Sequence, residues 1–185
     1  MKKKLHDPLI DNITRAIGDS CETESHVIMK VIDYVNQTTR RSIEPGVELV
    51  DSLEEIFRDT LAHAVRLKCD LKVIVKGLMI GVFRSSVDIK MEAHKTIDHM
   101  IRLVVQMIYE LKGNVRQAVQ GMLEGIVESA IEAKLNLEAA MSETARDAVR
   151  YASALSDKYG EEVRKAATCR IMDVDIKIVP RQTKN

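Results

Sequence analysis

The stretch LKCDLK at residues 67–72 returns 44 positions later as LKGNVR at residues 111–116. The match continues as far as residues 105 and 149 through these pairs: Gly77/Gly121, Gly81/Gly125, Ser85/Ser129, Lys90/Lys134, Arg102/Arg146 and Val105/Val149. Self-similarity at a fixed spacing indicates an internal duplication.

Halving the spacing to 22 residues extends the pattern over nearly the whole chain. One column of positions is apolar or aromatic in every repeat: Leu5, Val27, Leu49, Leu71, Ala93, Val115, Leu137 and Tyr159. Two further columns are wholly apolar: Leu9, Val31, Leu53, Val75, Ile97, Val119, Met141 and Val163, then Ile13, Val35, Phe57, Met79, Ile101, Leu123, Ala145 and Ala167. Three complete columns exceed what a hydrophobic content of 45% gives by accident, so we expect them to face the core.

The period itself favours helices. Two 11-residue periods make one repeat, and an 11-residue period means about 3.67 residues per turn, close to the roughly 3.6 of a straight α-helix. An apolar stripe with this period stays continuous along long helices. The sequence therefore predicts an all-α fold, an elongated antiparallel bundle of long amphipathic helices.

Caps and breaks near the start of the chain divide it into short helices. Asp7-Pro8 is typical of a helix start and Gly18 of a helix end. The pattern then predicts a helix over residues 25–41, a break at Pro45-Gly46 and a third helix over residues 47–68.

The middle of the chain leaves two arrangements open. Asp70 and Asn114 are good N-caps in equivalent places, and Gly113 precedes the second of them. Residues 71–112 could form one helix about 60 Å long or a hairpin that folds back near residues 94–96.

The end of the chain changes character. One long helix is predicted over residues 115–158, with an interruption near Ser142, and a shorter one over residues 161–169. Val174, Ile176 and Ile178 then alternate with charged residues before Pro180, which is typical of a strand or extended segment. The expected organisation is a helical repeat domain at 1–172, with short helices within 8–42 and long repeat helices within 47–169. An extended or β-like C-terminal tail at 173–185 completes it.

Composition excludes several classes of function. With 28 basic and 28 acidic side chains, the chain has no net field to attract nucleic acid, and no nucleic-acid partner is expected. The longest apolar run, residues 78–83, is too short to span a bilayer. Three scattered cysteines without a C-x-x-C motif fit free thiols in a reducing compartment, so we expect a cytoplasmic location.

Small residues at four-residue spacing occur in both copies of the duplication. They are Gly77, Gly81 and Ser85, and again Gly121, Gly125 and Ser129. Because glycine inside a helix costs about 1 kcal/mol relative to alanine, its repetition indicates that another backbone comes close. Tight packing within the monomer is favoured over a subunit interface. No G-K-[ST] follows either copy, so neither is a phosphate loop.

A column of lysines accompanies the repeat: Lys68, Lys90, Lys112 and Lys134. Such a column could be a basic ladder for an anionic partner, but acidic residues such as Glu110, Glu124 and Glu132 lie between its members. We therefore interpret it as solvated surface lysines.

His63 is the candidate for chemistry. The sequence AHAVR at residues 62–66 resembles the A-H-x-L-K core of histidine phosphotransfer domains, which implies a phosphoacceptor histidine. Leu67 stands where those domains usually have glycine. Glu55 and Asp59 precede His63 by eight and four residues. We interpret these three residues as a solvated charged face of the helix in preference to a metal site. No catalytic residue, metal or cofactor is expected, and the protein is predicted not to be an enzyme.

The apolar columns resemble the amphipathic repeats of exchangeable apolipoproteins and of phasins, which coat storage granules. The resemblance covers most of residues 5–171 and is one of pattern. Apolipoprotein repeats are punctuated by prolines, which this region largely lacks. It implies apolar stripes that could bind a lipid, granule or protein surface. The leading hypothesis is a non-enzymatic, self-associating structural or interaction protein whose partner is itself or another helical protein. Peripheral attachment to lipid or a granule is the first alternative, and phosphotransfer through His63 the second.

Overall fold

The structure, a computed structural model, describes residues 29, 32–33, 36–37, 49–88, 93–168, 170–171 and 174–175. Six helices lie in the described ranges 49–88 and 93–168: α1 Leu49–Arg66, α2 Leu71–Asp88, α3 Ala93–Leu111, α4 Val115–Glu132, α5 Leu137–Leu155 and α6 Asp157–Ala167. Two short strands, β1 Arg170–Ile171 and β2 Val174–Asp175, pair antiparallel. The predicted all-α helical bundle is confirmed. The expected helix boundaries at residues 7, 8 and 18 and the end of the tail at 176–185 lie outside the described residues.

The 22-residue repeat is a helix followed by a turn. Helices α1 to α5 begin at Leu49, Leu71, Ala93, Val115 and Leu137, each 22 residues after the one before. The expectation of an apolar stripe along long continuous helices is therefore wrong, because turns separate α1 from α2, α3 from α4 and α4 from α5 in the described part of the chain. Residues 71–112 contain two helices, and the predicted helix over residues 115–158 is divided after Glu132 and after Leu155, not near Ser142.

A left-handed lysine ends three of these helices. Lys68, Lys112 and Lys134 have φ angles of 56°, 53° and 55°, a conformation that usually selects glycine. In the α3–α4 turn, the amide of Gly113 donates to the carbonyl of Ile108 (3.0 Å), and the amide of Lys112 donates to that of Tyr109 (3.3 Å). This is the Schellman pattern, and the other two turns repeat it. The lysine column thus marks helix ends; its members in the described turns are exposed, and Lys90 lies outside the described residues.

The next helix begins on a side-chain cap. The Oδ1 atom of Asn114 accepts from the amide of Gln117 (3.1 Å), and that of Asn136 accepts from the amide of Ala139 (2.9 Å). Asp70 accepts from the amide of Lys72 in the same way (2.9 Å). Such caps satisfy backbone donors that have no partner inside the helix, so each turn both stops one helix and starts another.

The helices stack as pairs in two layers. Each helix packs against the next helix and against the next but one. Ion pairs join Lys72 to Glu124 and Arg84 to Glu132, so residue numbers rise together along α2 and α4, and these two helices are parallel. The short turns at residues 67–70, 112–114 and 133–136 join helices that run in opposite directions. Helices α1, α3 and α5 therefore form one layer and α2, α4 and α6 the other, as in α-solenoids built from stacked helix pairs.

The apolar columns form the core, as predicted. The described members of the second and third columns are at most 3% exposed, apart from Ile97, which packs against the core half-buried. Leu71 and Tyr159 of the first column are buried too, whereas Val115 and Leu137 are partly covered. Across the described helices, none combines the length and apolar content needed to cross a bilayer.

Candidate functional site

The second glycine track lies against the backbone of α2. A Cβ atom added at Gly121 would lie 2.2 Å from the carbonyl oxygen of Lys72, and one at Gly125 would lie 2.9 Å from that of Lys76. Ser129, the third small residue, donates its hydroxyl to the carbonyl of Gly125 (2.8 Å) within α4. The absence of a side chain at Gly121 and Gly125 therefore lets α2 and α4 of one chain meet at backbone distance.

The first glycine track occupies the equivalent part of α2. Gly77 and Gly81 are buried, whereas the side chain of Ser85 lies outside the described part of the structure. Ile32, which precedes Lys76 by 44 residues, is helical and 3% exposed. Because Lys76 lies against Gly125, the repeat leads us to expect a similar close approach between Ile32 and Gly81.

Ion pairs run along the outer side of the α2–α4 contact. The ammonium group of Lys72 lies 3.0 Å from the carboxylate of Glu124, and Arg84 contacts Glu132 through both Nη2 (2.6 Å) and Nε (3.1 Å). The hydrogen bond from Arg84 lowers the pKa of Glu132, and the same bond raises the pKa of Arg84. In these pairs α2 supplies the cations and α4 the carboxylates, so the charges contribute to the register of the stack.

His63 lies half-buried on α1 with one ring nitrogen engaged. Its Nδ1 atom is 2.9 Å from the backbone carbonyl oxygen of Asp59. Since a carbonyl oxygen accepts hydrogen bonds and cannot donate, Nδ1 carries the proton and Nε2 of the neutral ring holds a lone pair. Asp59 thus contacts His63 through its backbone carbonyl. The side chain of Glu55 lies outside the described part of the structure. Within the described residues, no group of three His, Cys, Asp or Glu side chains could hold a metal ion.

A second polar cluster joins α3 to α5. The hydroxyl of Tyr151 donates to the carboxylate of Asp98 (2.7 Å), and the guanidinium of Arg150 lies 3.3 Å from Asp98 and 3.2 Å from Asp147. Burial, and then the hydrogen bond to Asp98, raises the pKa of Tyr151. The cluster ties the two helices together at the surface, and a protonated tyrosine held this way is a structural hydrogen-bond donor.

An apolar cleft of about 360 Å³ opens beside this cluster. It lies between the C-terminal halves of α2 and α4 and the N-terminal halves of α3 and α5, and the α4–α5 turn forms one side. Phe83, Ile101 and Ile126 are among the apolar side chains that line it, and three carboxylates lie among its polar ones: Asp98, Glu143 and Asp147. No sequence pattern indicates this cleft, because its residues come from four helices and share no short motif.

Exposed apolar side chains mark the opposite end of the same layer. Leu67 follows the last residue of α1, Tyr109 lies in the last turn of α3, and Leu155 ends α5. They are 44%, 43% and 41% exposed, respectively. Leu67 and Leu155 occupy the same column of the repeat, two 44-residue units apart. We call these three residues the C-terminal edge.

Comparison with known proteins adds no family to this description. No protein-family model matches the chain, and no curated protein is significantly similar to it.

Proposed function

We propose that this protein is a non-enzymatic, cytoplasmic interaction scaffold that associates with itself through the C-terminal edge. The supporting observation is the set of large apolar side chains left exposed at the same end of three neighbouring helices: Leu67, Tyr109 and Leu155. Scattered apolar residues on a surface are ordinary, but the repeat brings these three to one end of one layer. Most soluble oligomers are symmetric assemblies of one chain, so a second copy is the simplest partner.

The expected association is weak and depends on concentration. Burial of a whole leucine side chain contributes about 1.5–3 kcal/mol, and each edge residue has a little under half of its surface left to bury. Three such residues on each of two chains can contribute about 6 kcal/mol, which the entropy cost of association reduces. Because about 6 kcal/mol corresponds to a dissociation constant of about 40 μM and the entropy cost weakens the binding, the range to search runs from about 40 μM to above 1 mM.

Sedimentation equilibrium across that concentration range tests the proposal. The wild-type protein should shift from monomer to dimer, and Leu67→Glu combined with Leu155→Glu should keep it monomeric. Ile131→Glu is the matched control and should dimerise like the wild type. Ile131 is 53% exposed but lies near the C-terminal end of α4, in the other layer and at the opposite end of the stack. A strictly monomeric wild type at every concentration would refute the proposal, as would dimerisation of the double variant.

Phosphotransfer through His63 is a second candidate, which the geometry of its ring supports. The hydrogen bond from Nδ1 to Asp59 fixes the tautomer that leaves Nε2 nucleophilic on a half-buried, not fully enclosed, side chain. Incubation with acetyl phosphate should then label the native protein but not His63→Gln. His99→Gln is the control, because His99 also lies on a helix and instead contacts Glu54 (3.3 Å). Equal labelling of both variants, or no labelling of the wild type, would eliminate this candidate.

A further inference from the structure

The apolar cleft has the size and lining of a small-molecule site. Its volume of about 360 Å³ lies within the roughly 300–1,000 Å³ typical of ligand pockets. Phe83, Ile101, Ile126 and Ala130 are at most 9% exposed and form its inner wall. Thr144 also lines it, but its hydroxyl donates to the carbonyl of Ala140 (2.9 Å) within α5 and is satisfied there. The inner surface is therefore apolar, and a ligand does not have to form hydrogen bonds with it.

The charged groups of the lining all have one sign. Asp98, Glu143 and Asp147 are carboxylates, and none of the twelve described residues that line the cleft is a lysine or arginine. Arg150 contacts Asp98 and Asp147 but is not part of the lining, and Lys95 and Arg102, one turn before and after Asp98 on α3, are not part of it either. Among the described lining residues, a ligand inside the cleft thus meets three carboxylates, two of which also contact Arg150.

We propose that the cleft binds a small amphiphilic cation, an aliphatic or aromatic amine whose apolar part lies on Phe83, Ile101 and Ile126 and whose ammonium group contacts the carboxylates. The carboxylates do not have to lose their present partners, because each has about four lone-pair sites and can accept from two donors. The partly enclosed position raises the strength of a charged hydrogen bond above its value in water.

The same geometry disfavours the other amphiphiles that would fit by shape. A fatty acid of equal length would bring its carboxylate against three others, and like charges at a few ångströms repel. A neutral alcohol keeps the apolar contact but loses the charge-assisted hydrogen bond. The order of affinity for chains of one length should therefore be amine, then alcohol, then carboxylate.

Three eight-carbon probes test this order: octylammonium, octanol and octanoate, each below its micelle-forming concentration. Backbone amide shifts in the NMR spectrum of the full chain follow their binding. Octylammonium should shift Ala130, Ala140 and Thr144 saturably, with a dissociation constant at least 10-fold below that of octanoate. Equal affinities of octylammonium and octanol, tighter binding of octanoate, or shifts confined to other regions would overturn the proposal.

Two pairs of variants locate the site. Glu143→Gln should weaken octylammonium binding about 5-fold and leave octanol binding unchanged, whereas Glu138→Gln, an exposed carboxylate outside the lining on the same helix, should change neither. Ala140→Phe should fill the mouth of the cleft and abolish the binding of all three probes, while Ala139→Phe, on the exposed neighbour, should not. Full binding in Ala140→Phe, or an equal effect of both glutamate variants, would refute the assignment. The C-terminal edge lies at the other end of the layer, so failure of either proposal leaves the other unaffected.

Discussion

Replacement of Gly121 by alanine should destabilise the protein by about 2 kcal/mol, although alanine is the better helix former. The reason is the backbone of α2. The new Cβ atom would lie 2.2 Å from the carbonyl oxygen of Lys72 and 2.9 Å from its Cα atom. Ordinary contacts of this kind begin near 3.4 Å, so α2 and α4 would have to separate locally by about 1 Å.

The magnitude follows from two opposing terms. Forcing extra volume into a packed interior costs about 1–3 kcal/mol, and the upper end applies because a carbonyl group in a helix cannot rotate away as a side chain can. Alanine in place of glycine inside a helix recovers about 1 kcal/mol. The balance is a loss of about 2 kcal/mol. Gly125→Ala meets Met79 Cβ at 2.8 Å and Lys76 O at 2.9 Å, a smaller overlap, so its net loss should be about 1 kcal/mol.

Urea unfolding followed by circular dichroism measures these losses. With an m value of about 2 kcal/mol/M, Gly121→Ala should lower the midpoint by about 1 M and Gly125→Ala by about half as much. Gly113→Ala is the control, because Gly113 lies in a turn and its added Cβ would meet side-chain methyl groups no closer than 3.1 Å. These can shift, so the change should stay within about 0.5 kcal/mol. A Gly121→Ala protein as stable as the wild type would refute the backbone contact, as would a larger loss at Gly113.

Three other predictions concern the turns, the ion pairs and the buried stripes. Lys134→Gly should raise the free energy of unfolding by about 1 kcal/mol because residue 134 has a φ of 55°, and Lys134→Ala, measured by the same urea unfolding, should bring no gain. Hydrogen bonds from Arg58 and Arg84 lower the pKa of Glu54 and Glu132, respectively. The two ion pairs therefore stabilise the folded state above the ordinary glutamate pKa of about 4.3, and this stabilisation is lost as the pH falls through the lowered pKa values. Urea midpoints between pH 6 and pH 3 should therefore fall less in Glu132→Gln than in the wild type, and parallel curves would contradict this. Because the apolar columns are buried, mixing with lipid vesicles should leave the circular dichroism spectrum unchanged and the protein unfloated, and co-flotation would favour the lipid-surface alternative.

The core was predictable because it depends on local spacing. Leu53 and Phe57 in α1 recur as Val75 and Met79 in α2, and a column that is apolar in every repeat can be recognised without knowing which helices meet. The helix ends were less predictable. Glycine and proline are the usual signals, whereas the α4–α5 turn ends its helix with Lys134 in the left-handed conformation. The one clue was Asn136, an N-cap at the position equivalent to Asn114, which the sequence analysis did not use.

The candidate sites divide in the same way. The glycine spacing indicated a close backbone, but Lys72 as the residue in contact with Gly121 requires the stacking of helix pairs, which no local pattern contains. The cleft was beyond prediction for the same reason, since Phe83 and Glu143 come together through the layering of helices far apart in sequence. The C-terminal edge could have been predicted in part, because Leu67 and Leu155 share a column of the repeat. Their sequence alone, however, favours burial for apolar residues at helix ends, and only the structure shows that these side chains are exposed.

The arithmetic of the repeat explains why it is compatible both with one long helix and with a stack. A helix of 18 residues makes five turns at about 3.6 residues per turn, and a four-residue turn completes the period of 22. In α1 to α5, the columns at the fifth and ninth positions lie in or against the core, and the described members of the column at the first position are buried or partly buried. In the described helices, the stripes that resemble those of surface-binding proteins are consequently used inside the stack, where neighbouring helices cover them. Among the described side chains of residues 49–168, the large apolar ones left exposed are those of the C-terminal edge, Ile131 and Leu135, and Leu135 lines the cleft.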